Sequence, residues 1–275
     1  MVCEQNLLYL SNFFDNNYKG VCIDVGSYDG ITCSNTYYFE NKGWNSLCIE
    51  SIPEYFTICN TIRKHTINCC VSNYDKNNID FIKDNNIEKI SVQVKSLNTI
   101  FQEEHISKNI DFISIISAHA EIDVLKGINF NNYSVKFLII ENNFNQNTIE
   151  DYLKTQNFKK INRLSLNDFY VNNNYLNILI HNYFKITRAN YYNVEDDKLG
   201  NVTDIVNILL QCYITHYTND IIVSNNIFND TLIFVEKKLF ITINNIKTND
   251  EFKFIFDENT ILDFHFIFEF LIKKL

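Results

Sequence analysis

The sequence predicts an α/β protein with a mostly parallel sheet and helices on both faces, followed by a small antiparallel β domain. Two observations support this prediction. Apolar runs of strand length alternate with helix-type runs over the first 171 residues, as in β-α-β units. Further along the chain, short strand-like runs alternate with Asn/Asp turns, which is typical of an antiparallel β unit. We therefore expect two domains, at 1–180 and 190–275, with a boundary near 180–190.

The stretch 21–30 carries the strongest local signal. It reads VCIDVGSYDG, a buried strand around Asp24 that is followed by Gly26 and Gly30. Glycine suits a sharp strand-to-helix turn because it has no Cβ to clash. A helix predicted over 32–42 would point its free N–H groups at this turn. Strand, glycine turn and helix start together favour a nucleotide-cofactor cradle over a plain tight turn.

A second predicted strand, over 46–50, ends in an acidic residue. Glu50 follows the glycine turn by about 20 residues, the spacing at which a carboxylate accepts hydrogen bonds from the ribose hydroxyls of a cofactor. The alternative is an ordinary surface carboxylate. The order of turn, helix and carboxylate favours the cofactor interpretation.

The other elements follow from apolar periodicity and from breaker residues. The predicted helices cover 3–18, 53–64, 120–127, 148–156 and 174–187. The predicted strands cover 67–72, 89–97, 109–116, 135–141, 158–166, 168–171, 221–223, 232–236, 239–243 and 252–256. Pro53 starts a helix and Gly127 ends one. The first helix is expected to pack against a sheet edge, and the final run, 261–271, fits a strand and a helix equally well.

Composition argues against several classes of function. The formal net charge is -9 and no Lys/Arg cluster exceeds a dipeptide, so no nucleic-acid partner is expected. No uncharged apolar run is long enough to predict a membrane span. The eight cysteines and six histidines lack ligand spacing, so no metal site is expected, and the cysteine pattern indicates a reducing compartment. The expected location is cytoplasmic, meaning the host cytoplasm or the virion if the AT-biased composition reflects a large DNA virus.

A series of short segments carries a family resemblance over residues 4–171. The segments are IDVGSYDG (23–30), SNTYYFE (34–40), GWNSLCIESIPEYF (43–56), SLNTIF (96–101), IDFISI (110–115), AEIDVLKGINF (120–130) and IIENN (139–143). In this order they resemble the FkbM family of S-adenosylmethionine (SAM) dependent methyltransferases. The resemblance implies a class I methyltransferase (Rossmann-like) fold, with SAM bound across the ends of strands one, two and four. It also implies O-methylation, usually of a sugar, a glycan or a related small hydroxylated acceptor.

The resemblance also implies roles for individual residues. Asp24, Gly26 and Gly30 would hold the methionine end of SAM. Glu50 would bind its ribose, and Ser72 would lie beside its adenine. Further matches to the family's first turn and helix start, without a fixed role, are Asp29, Ser34 and Asn35.

The chain departs from the family at the end of the fourth strand, where the family reads Asp-x-Glu-Gly-x-Glu. Ile116, Ala118 and His119 replace the first three conserved residues, and only Glu121 remains. Methyl transfer to a hydroxyl needs a base or a metal to take up the proton, and an aliphatic side chain provides neither. His119 and Glu121 are therefore the candidate catalytic residues, with His119 as the base. The plainer alternative makes them a helix cap and a first-turn acid.

Three interpretations of function stay open at this stage. The chain is an O-methyltransferase in which His119 serves as base, or it binds SAM without turning it over. In the third interpretation it has lost SAM and serves as a binding or structural module. Residues 190–275 have a fainter likeness to small β domains appended to other enzymes, so a protein partner or self-association is expected there.

Overall fold

The structure is a computed structural model that describes residues 2–11, 13–83, 88–145, 147–192, 200–216, 223–224, 228 and 237–272. The chain divides into two compact units, residues 1–173 and 174–275. This division falls a few residues before the boundary predicted from the sequence. Among the described residues, no helix combines the length and apolarity that crossing a bilayer requires.

The first unit contains six helices and ten strands among its described residues. The helices are α1 (Val2–Ser11), α2 (Tyr37–Asn41), α3 (Pro53–Ile62), α4 (Leu97–Glu103), α5 (Glu121–Lys126) and α6 (Asn147–Thr155). The strands are β1 (Val21–Val25), β2 (Asn45–Glu50), β3 (Thr66–Asn68), β4 (Cys70–Ser72), β5 (Lys76–Lys83), β6 (Glu88–Ser96), β7 (Asn109–Ile115), β8 (Ser134–Glu141), β9 (Phe158–Leu164) and β10 (Asn167–Asn172). Most of these elements match the predicted positions to within a few residues.

Seven of these strands form one sheet in the order β3-β2-β1-β7-β8-β10-β9. The pairs β1–β2, β2–β3, β1–β7 and β7–β8 are parallel, while β10 runs antiparallel to both of its neighbours. The strand order reverses between β1 and β7, as in doubly wound sheets. Six strands in one direction and a single reversed strand next to the edge are the class I methyltransferase arrangement. The predicted fold class is therefore confirmed.

The core explains why the central strands read as continuous apolar runs. Because helices cover both faces of a parallel sheet, strand residues pointing to either side are buried. Ile23, Ile113 and Leu138, on three adjacent strands, have no exposed surface. The predicted packing of the first helix is also confirmed, since α1 contacts the edge strand β9 and the Tyr9 ring meets Phe169 edge-on at 5.1 Å.

The predicted strand 67–72 is divided between two sheets. β3 ends at Asn68 in the large sheet, and β4 joins a three-stranded sheet of order β4-β6-β5. Asn68 marks the break, because its side-chain amide donates to the carbonyl groups of Glu50 and Ser51. The sequence predicted β6, whose Val92 and Val94 are buried. It missed β5, whose sequence KNNIDFIK lacks regular alternation.

The helix predicted over 32–42 is wrong in its first half, since α2 begins only at Tyr37. Side chains satisfy the preceding backbone instead. The Asp29 carboxylate accepts the N–H groups of Ile31 and Thr32, and Ser34 Oγ accepts the N–H of Tyr37 at 3.1 Å. Asp and Ser compete with helical hydrogen bonds in this way. The glycine turn therefore leads into an irregular loop, without the predicted helix N-terminus.

The second unit contains a four-stranded antiparallel sheet, which confirms the predicted β domain. Its described elements are α7 (Asn173–Tyr183), β11 (Phe184–Tyr192), β12 (Gly200–Asn201), α8 (Thr203–His216), β13 (Lys238–Asn245), β14 (Glu251–Asp257) and α9 (Phe264–Ile272). The ambiguous run 261–271 forms α9, whose Phe270 packs against Phe252 and Phe254 of β14. The predicted helix 174–187 is wrong in its last turn, because residues from Phe184 onward form β11, and the sequence also missed α8. The predicted strand 232–236, and all of 221–223 except Val223, lie outside the described residues.

Candidate functional site

A hollow of about 340 Å³ opens at the carboxyl ends of β1, β2 and β7, beside the point where the strand order reverses. Open α/β sheets bind their ligands at this place. The hollow has the size and the mainly apolar lining of a small-molecule site. The lining residues are Val25, Gly26, Tyr28, Ile49, Glu50, Ser51, Ile52, Tyr55, Cys69, Cys70, Val71, Ile116, Ser117, Ala118 and Ala120.

Glu50 is the carboxylate of this hollow, as the sequence predicts. It ends β2 and is 6% exposed. Its Oε2 accepts the N–H of Tyr28 and its Oε1 that of Ile52, each at 2.8 Å. Burial raises the pKa of Glu50, while the N–H groups of Ile52, Tyr28 and Ser51 lower it, and burial prevails. A carboxylate has about four acceptor positions, so the short bonds from Tyr28 and Ile52 orient it, and acceptor capacity is left for a ligand hydroxyl.

Ser117 supplies a second polar group to the lining. Its Oγ is buried and has no hydrogen-bond partner among the described residues. A buried hydroxyl without a partner lowers the stability of the folded protein, so a ligand that formed a hydrogen bond to it would remove this loss.

Tyr28 and Tyr55 form an aromatic wall of the hollow. Their rings meet edge-to-face at a centroid distance of 4.3 Å, and Tyr28 is 43% exposed. The hollow thus combines an apolar floor with a few fixed polar contacts.

Gly26 lines the hollow, but it lacks a side chain because the backbone of Ile116 lies directly against it. Its φ is +79°, and an added Cβ would lie 1.8 Å from the carbonyl oxygen of Ile116. The N–H of Ile116 donates to the carbonyl of Val25, which holds the two segments together. Gly26 therefore allows the segment after β7 to lie directly on the end of β1.

Asp24, Gly30 and Ser34 lie close together, but outside the lining of the hollow. Asp24 is 1% exposed, and its Oδ2 accepts the hydroxyls of Ser34 and Thr36, each at 2.7 Å. Arg63 donates to the carbonyl of Gly30 and to Ser34 Oγ. The contacts that the resemblance implies between these residues and SAM stay a prediction, and the structure shows the contacts that the residues make within the protein. Their polar groups are used to shape the loop after the glycine turn.

Asp29 and Asn35 also have structural partners. Asp29 is half-buried, and its carboxylate accepts the N–H groups of Ile31 and Thr32. Slight burial raises the pKa of Asp29, but the hydrogen bonds together lower it by more, so the pKa lies below its ordinary value. Asn35 is buried, and its amide donates to Ser114 Oγ at 3.0 Å. Neither residue lines the hollow.

Ser72, which the resemblance places beside the adenine, lies outside the lining of the hollow. It ends β4 in the three-stranded sheet, where Cys70 and Val71 line the hollow and Ser72 does not. The carbonyl of Ser72 faces Gly127, where an added Cβ would lie only 2.4 Å from its oxygen. At this end of β4 the wall of the hollow is therefore formed by Cys70 and Val71.

Glu121, a candidate catalytic residue, anchors a loop. Its carboxylate is 7% exposed, and Oε1 accepts the N–H groups of Ser117 and His119, each at 3.2 Å. Ala118 and His119 have φ values of 47° and 79°, a conformation that costs free energy for residues with a side chain. The loop 116–120 is thus folded around Glu121, which gives this acid a structural role.

The His119 side chain, the candidate base, is exposed and lies outside the lining of the hollow. Its ring is 5.2 Å from that of Phe144. Burial and repulsion from Glu121 raise the pKa of Glu141, while the nearby His119 lowers it, so these three groups interact at the ends of β7 and β8. Among the described residues, no set of three or more His, Cys, Asp or Glu side chains could hold a metal ion.

Sequence reasoning missed several residues of the site and its support. Tyr28 lies inside the glycine motif 21–30, so the motif itself indicates a position at the turn. Ser117 and Tyr55 carry no motif of their own, and only the fold brings them to the hollow. Arg63 stands with Lys64 just after a helix, and a basic pair in such a place usually indicates solvated side chains.

Comparison with known proteins assigns the chain to no family. No family model and no curated protein match the chain, so membership of the FkbM family stays a prediction. Among solved structures, the N-terminal domain of human METTL16 in complex with SAH is similar at 9% identity over 62% of this chain and 68% of that chain, with a TM-score of 0.38. A human methyltransferase 10 domain containing protein gives 9% identity, 62% and 80% coverage, and a TM-score of 0.36. Because these scores are low, the assignment to a methyltransferase-like class rests on the strand order.

Proposed function

We propose that residues 1–173 form a methyltransferase-type domain that binds SAM in the hollow at the ends of β1, β2 and β7. The observation that carries the proposal is Glu50, a buried carboxylate at the end of β2 that is fixed by two N–H groups and lines the hollow. A carboxylate in this place accepts hydrogen bonds from ribose hydroxyls. When bound, SAM would supply an activated methyl group on its sulfonium.

The other lining residues fit the rest of the cofactor. Cys70 and Val71 offer an apolar surface for the adenine, and Tyr28 and Tyr55 offer an aromatic one. The buried hydroxyl of Ser117 offers a hydrogen bond to a polar group of the ligand. The volume of about 340 Å³ falls within the range of small-molecule sites.

Calorimetric titration and thermal unfolding of the full chain test the binding proposal. At a SAM concentration 100 times Kd, binding would stabilise the protein by about 2.7 kcal/mol and raise Tm by about 5–10 °C. Glu50→Ala should weaken binding about 100-fold, because two hydrogen bonds to a charged group are lost. Glu103→Ala, at a partly exposed ion pair with Lys95, is the matched control and should bind as the unchanged chain does. No heat and no shift at millimolar SAM would contradict the proposal.

Methyl transfer to a sugar or glycan hydroxyl is the second candidate function, and it rests on the resemblance together with the place of His119. The loop 116–120 contributes Ile116, Ser117, Ala118 and Ala120 to the hollow, and His119 belongs to the same loop. The neutral imidazole is a suitable base near pH 7. In this function His119 would take up the proton of the attacking hydroxyl, and the methyl group would pass from sulfur to oxygen.

Binding without turnover is the alternative, and the lining of the hollow favours it. Ile116 and Ala118 occupy the places where the resembling family has carboxylates, and neither can accept a proton. Product formation with radiolabelled SAM and a panel of sugars decides between the two. Turnover that His119→Ala reduces about 100-fold or more would support the base. Turnover that is unaffected by this change would reject the base, and no turnover despite SAM binding would identify a non-catalytic domain.

A further inference from the structure

Arg63 is a buried cation that neither the sequence pattern nor the proposed function explains. It directly follows α3 and is only 4% exposed. Its five N–H groups are all used, at distances of 2.8–3.2 Å. The acceptors are Glu40 Oε2, the Gly30 carbonyl, Ser34 Oγ, Thr36 Oγ1 and Ser46 Oγ. A buried charge needs this degree of pairing, because an unpaired one is strongly unfavourable.

Two buried carboxylates share this one guanidinium. Glu40 pairs with Nε at 2.8 Å, and Asp24 lies 3.8 Å from Nη1. Asp24 also binds the hydroxyls of Ser34 and Thr36, which themselves accept from Arg63. Strand β1, the loop before α2, α2 itself and the end of α3 are therefore joined through a single side chain.

The network reaches the hollow through the turn 26–30. Arg63 holds the far end of this turn by its bond to the Gly30 carbonyl, and the N–H of Gly30 donates to Ser27 at 2.8 Å. At the near end, Tyr28 lines the hollow and donates its N–H to Glu50. The turn also rests on the Arg63 stem, since a Cβ on Gly30 would lie 2.8 Å from Arg63 Cγ.

We propose that Arg63 is a positioning residue for cofactor binding, which holds the turn 26–30 in the shape that presents Tyr28 and Glu50 to SAM without contacting the ligand. This inference rests on the proposed function. Lysine should not replace Arg63, because an ammonium has three donors on one atom and cannot reach five acceptors arranged around a planar fork. The loop that follows the turn is irregular and lacks the regular backbone hydrogen bonds of a helix. Its shape therefore depends on the bonds from Arg63.

Titration of SAM into the full chain and its Arg63→Lys variant tests the proposal at a temperature where circular dichroism shows both to be folded. Arg163→Met is the matched control, because Arg163 also pairs with a buried carboxylate, that of Asp168, but does not line the hollow. We expect Arg63→Lys to raise Kd for SAM about tenfold or more, since bonds to charged groups are lost. Arg163→Met should lower Tm and leave Kd unchanged. A folded Arg63→Lys variant with the Kd of the unchanged chain would overturn the proposal.

Two further measurements cover the remaining outcomes. If Arg63→Lys does not fold, Thr36→Val removes one acceptor of the guanidinium with little change of shape, and a Kd that stays the same would reject the positioning role. Amide hydrogen exchange without ligand is independent of SAM. Arg63→Lys should speed exchange in 26–36 and not in β7, and equal rates in 26–36 would contradict the proposal. If the unchanged chain binds no SAM, the proposed function fails while the exchange measurement still decides the role of Arg63.

Discussion

At the scale of single residues, burial and hydrogen bonding act on Glu50 in opposite directions. Burial disfavours the ionised carboxylate, and the N–H groups of Tyr28 and Ile52 favour it. Burial prevails, so the pKa is raised above its ordinary value of 4.5. The ligand-free site therefore holds its carboxylate at some cost in stability, and hydroxyl donors from a ligand would reduce that cost.

The raised pKa of Glu50 predicts opposite effects of pH on stability and on binding. For an acid with a raised folded-state pKa, stability is fully present below the ordinary pKa and is lost as pH rises through the folded one. From pH 4.5 upward, the ligand-free chain should lose this contribution while its affinity for SAM increases, because the ionised form is the better acceptor. Urea unfolding and titration over this pH range measure both effects. Glu50→Gln should remove both, and unchanged pH profiles in this variant would contradict the assignment.

Two glycines with positive φ predict different costs of substitution. Gly26 and Gly43 have φ values of +79° and +91°. A Cβ at Gly43 would meet only the Lys19 side chain at 3.6 Å, whereas one at Gly26 would overlap the Ile116 carbonyl at 1.8 Å. Gly43→Ala should therefore cost about 1–2 kcal/mol from backbone strain, and Gly26→Ala about 3–5 kcal/mol because a clash is added. Equal losses in urea unfolding would show that the Ile116 contact does not constrain Gly26.

At the scale of elements, the sequence predicts the strands of the large sheet well because burial on both faces leaves a continuous apolar signal. It fails where side chains compete with the backbone. The helix predicted over 32–42 loses its first half because Asp29 and Ser34 accept backbone N–H groups. The strand 67–72 divides at Asn68 for a similar reason. Such competition depends on tertiary partners that apolar periodicity does not report.

The position of β4 beside the hollow predicts that SAM protects one cysteine from modification. Cys70 lines the hollow and is half-buried, and burial raises its pKa, whereas Cys33 is exposed outside the lining. With a neutral alkylating reagent at mildly alkaline pH, we expect SAM to slow modification of Cys70 and to leave Cys33 unaffected. Peptide mass spectrometry measures both rates in one sample. Equal modification of Cys70 with and without saturating SAM would place the ligand elsewhere.

At the scale of the whole molecule, all seven strands of the large sheet and the entire lining of the hollow lie within residues 1–173. The buried apolar cluster from Ile23 to Tyr170 belongs to the same unit. A unit with its own core is able to fold alone. A chain ending at residue 173 should therefore unfold cooperatively in urea and bind SAM with the affinity of the full chain. A folded shortened chain that binds SAM more weakly than the full chain would contradict this prediction.

The candidate site was predictable only in part. The sequence indicates the position of Glu50, because its place at a strand end and its spacing from the glycine turn are set by the fold, and the structure places it in the lining of the hollow. Its role toward the cofactor stays a prediction. The motif also places Asp24 and Ser34 near the turn, but it does not indicate that both bond within the network of Arg63. The direction in which a polar side chain points depends on its partners, and a single sequence does not give them.

The most direct test of the central claim, that Glu50 and its hollow bind the adenosyl cofactor, is the electron density of crystals soaked with S-adenosylhomocysteine. We expect density at the ends of β1, β2 and β7, with both ribose hydroxyls within hydrogen-bond distance of the Glu50 carboxylate and the adenine against Val71. A hollow that remains empty at millimolar ligand, or a ligand bound away from Glu50, would contradict the account.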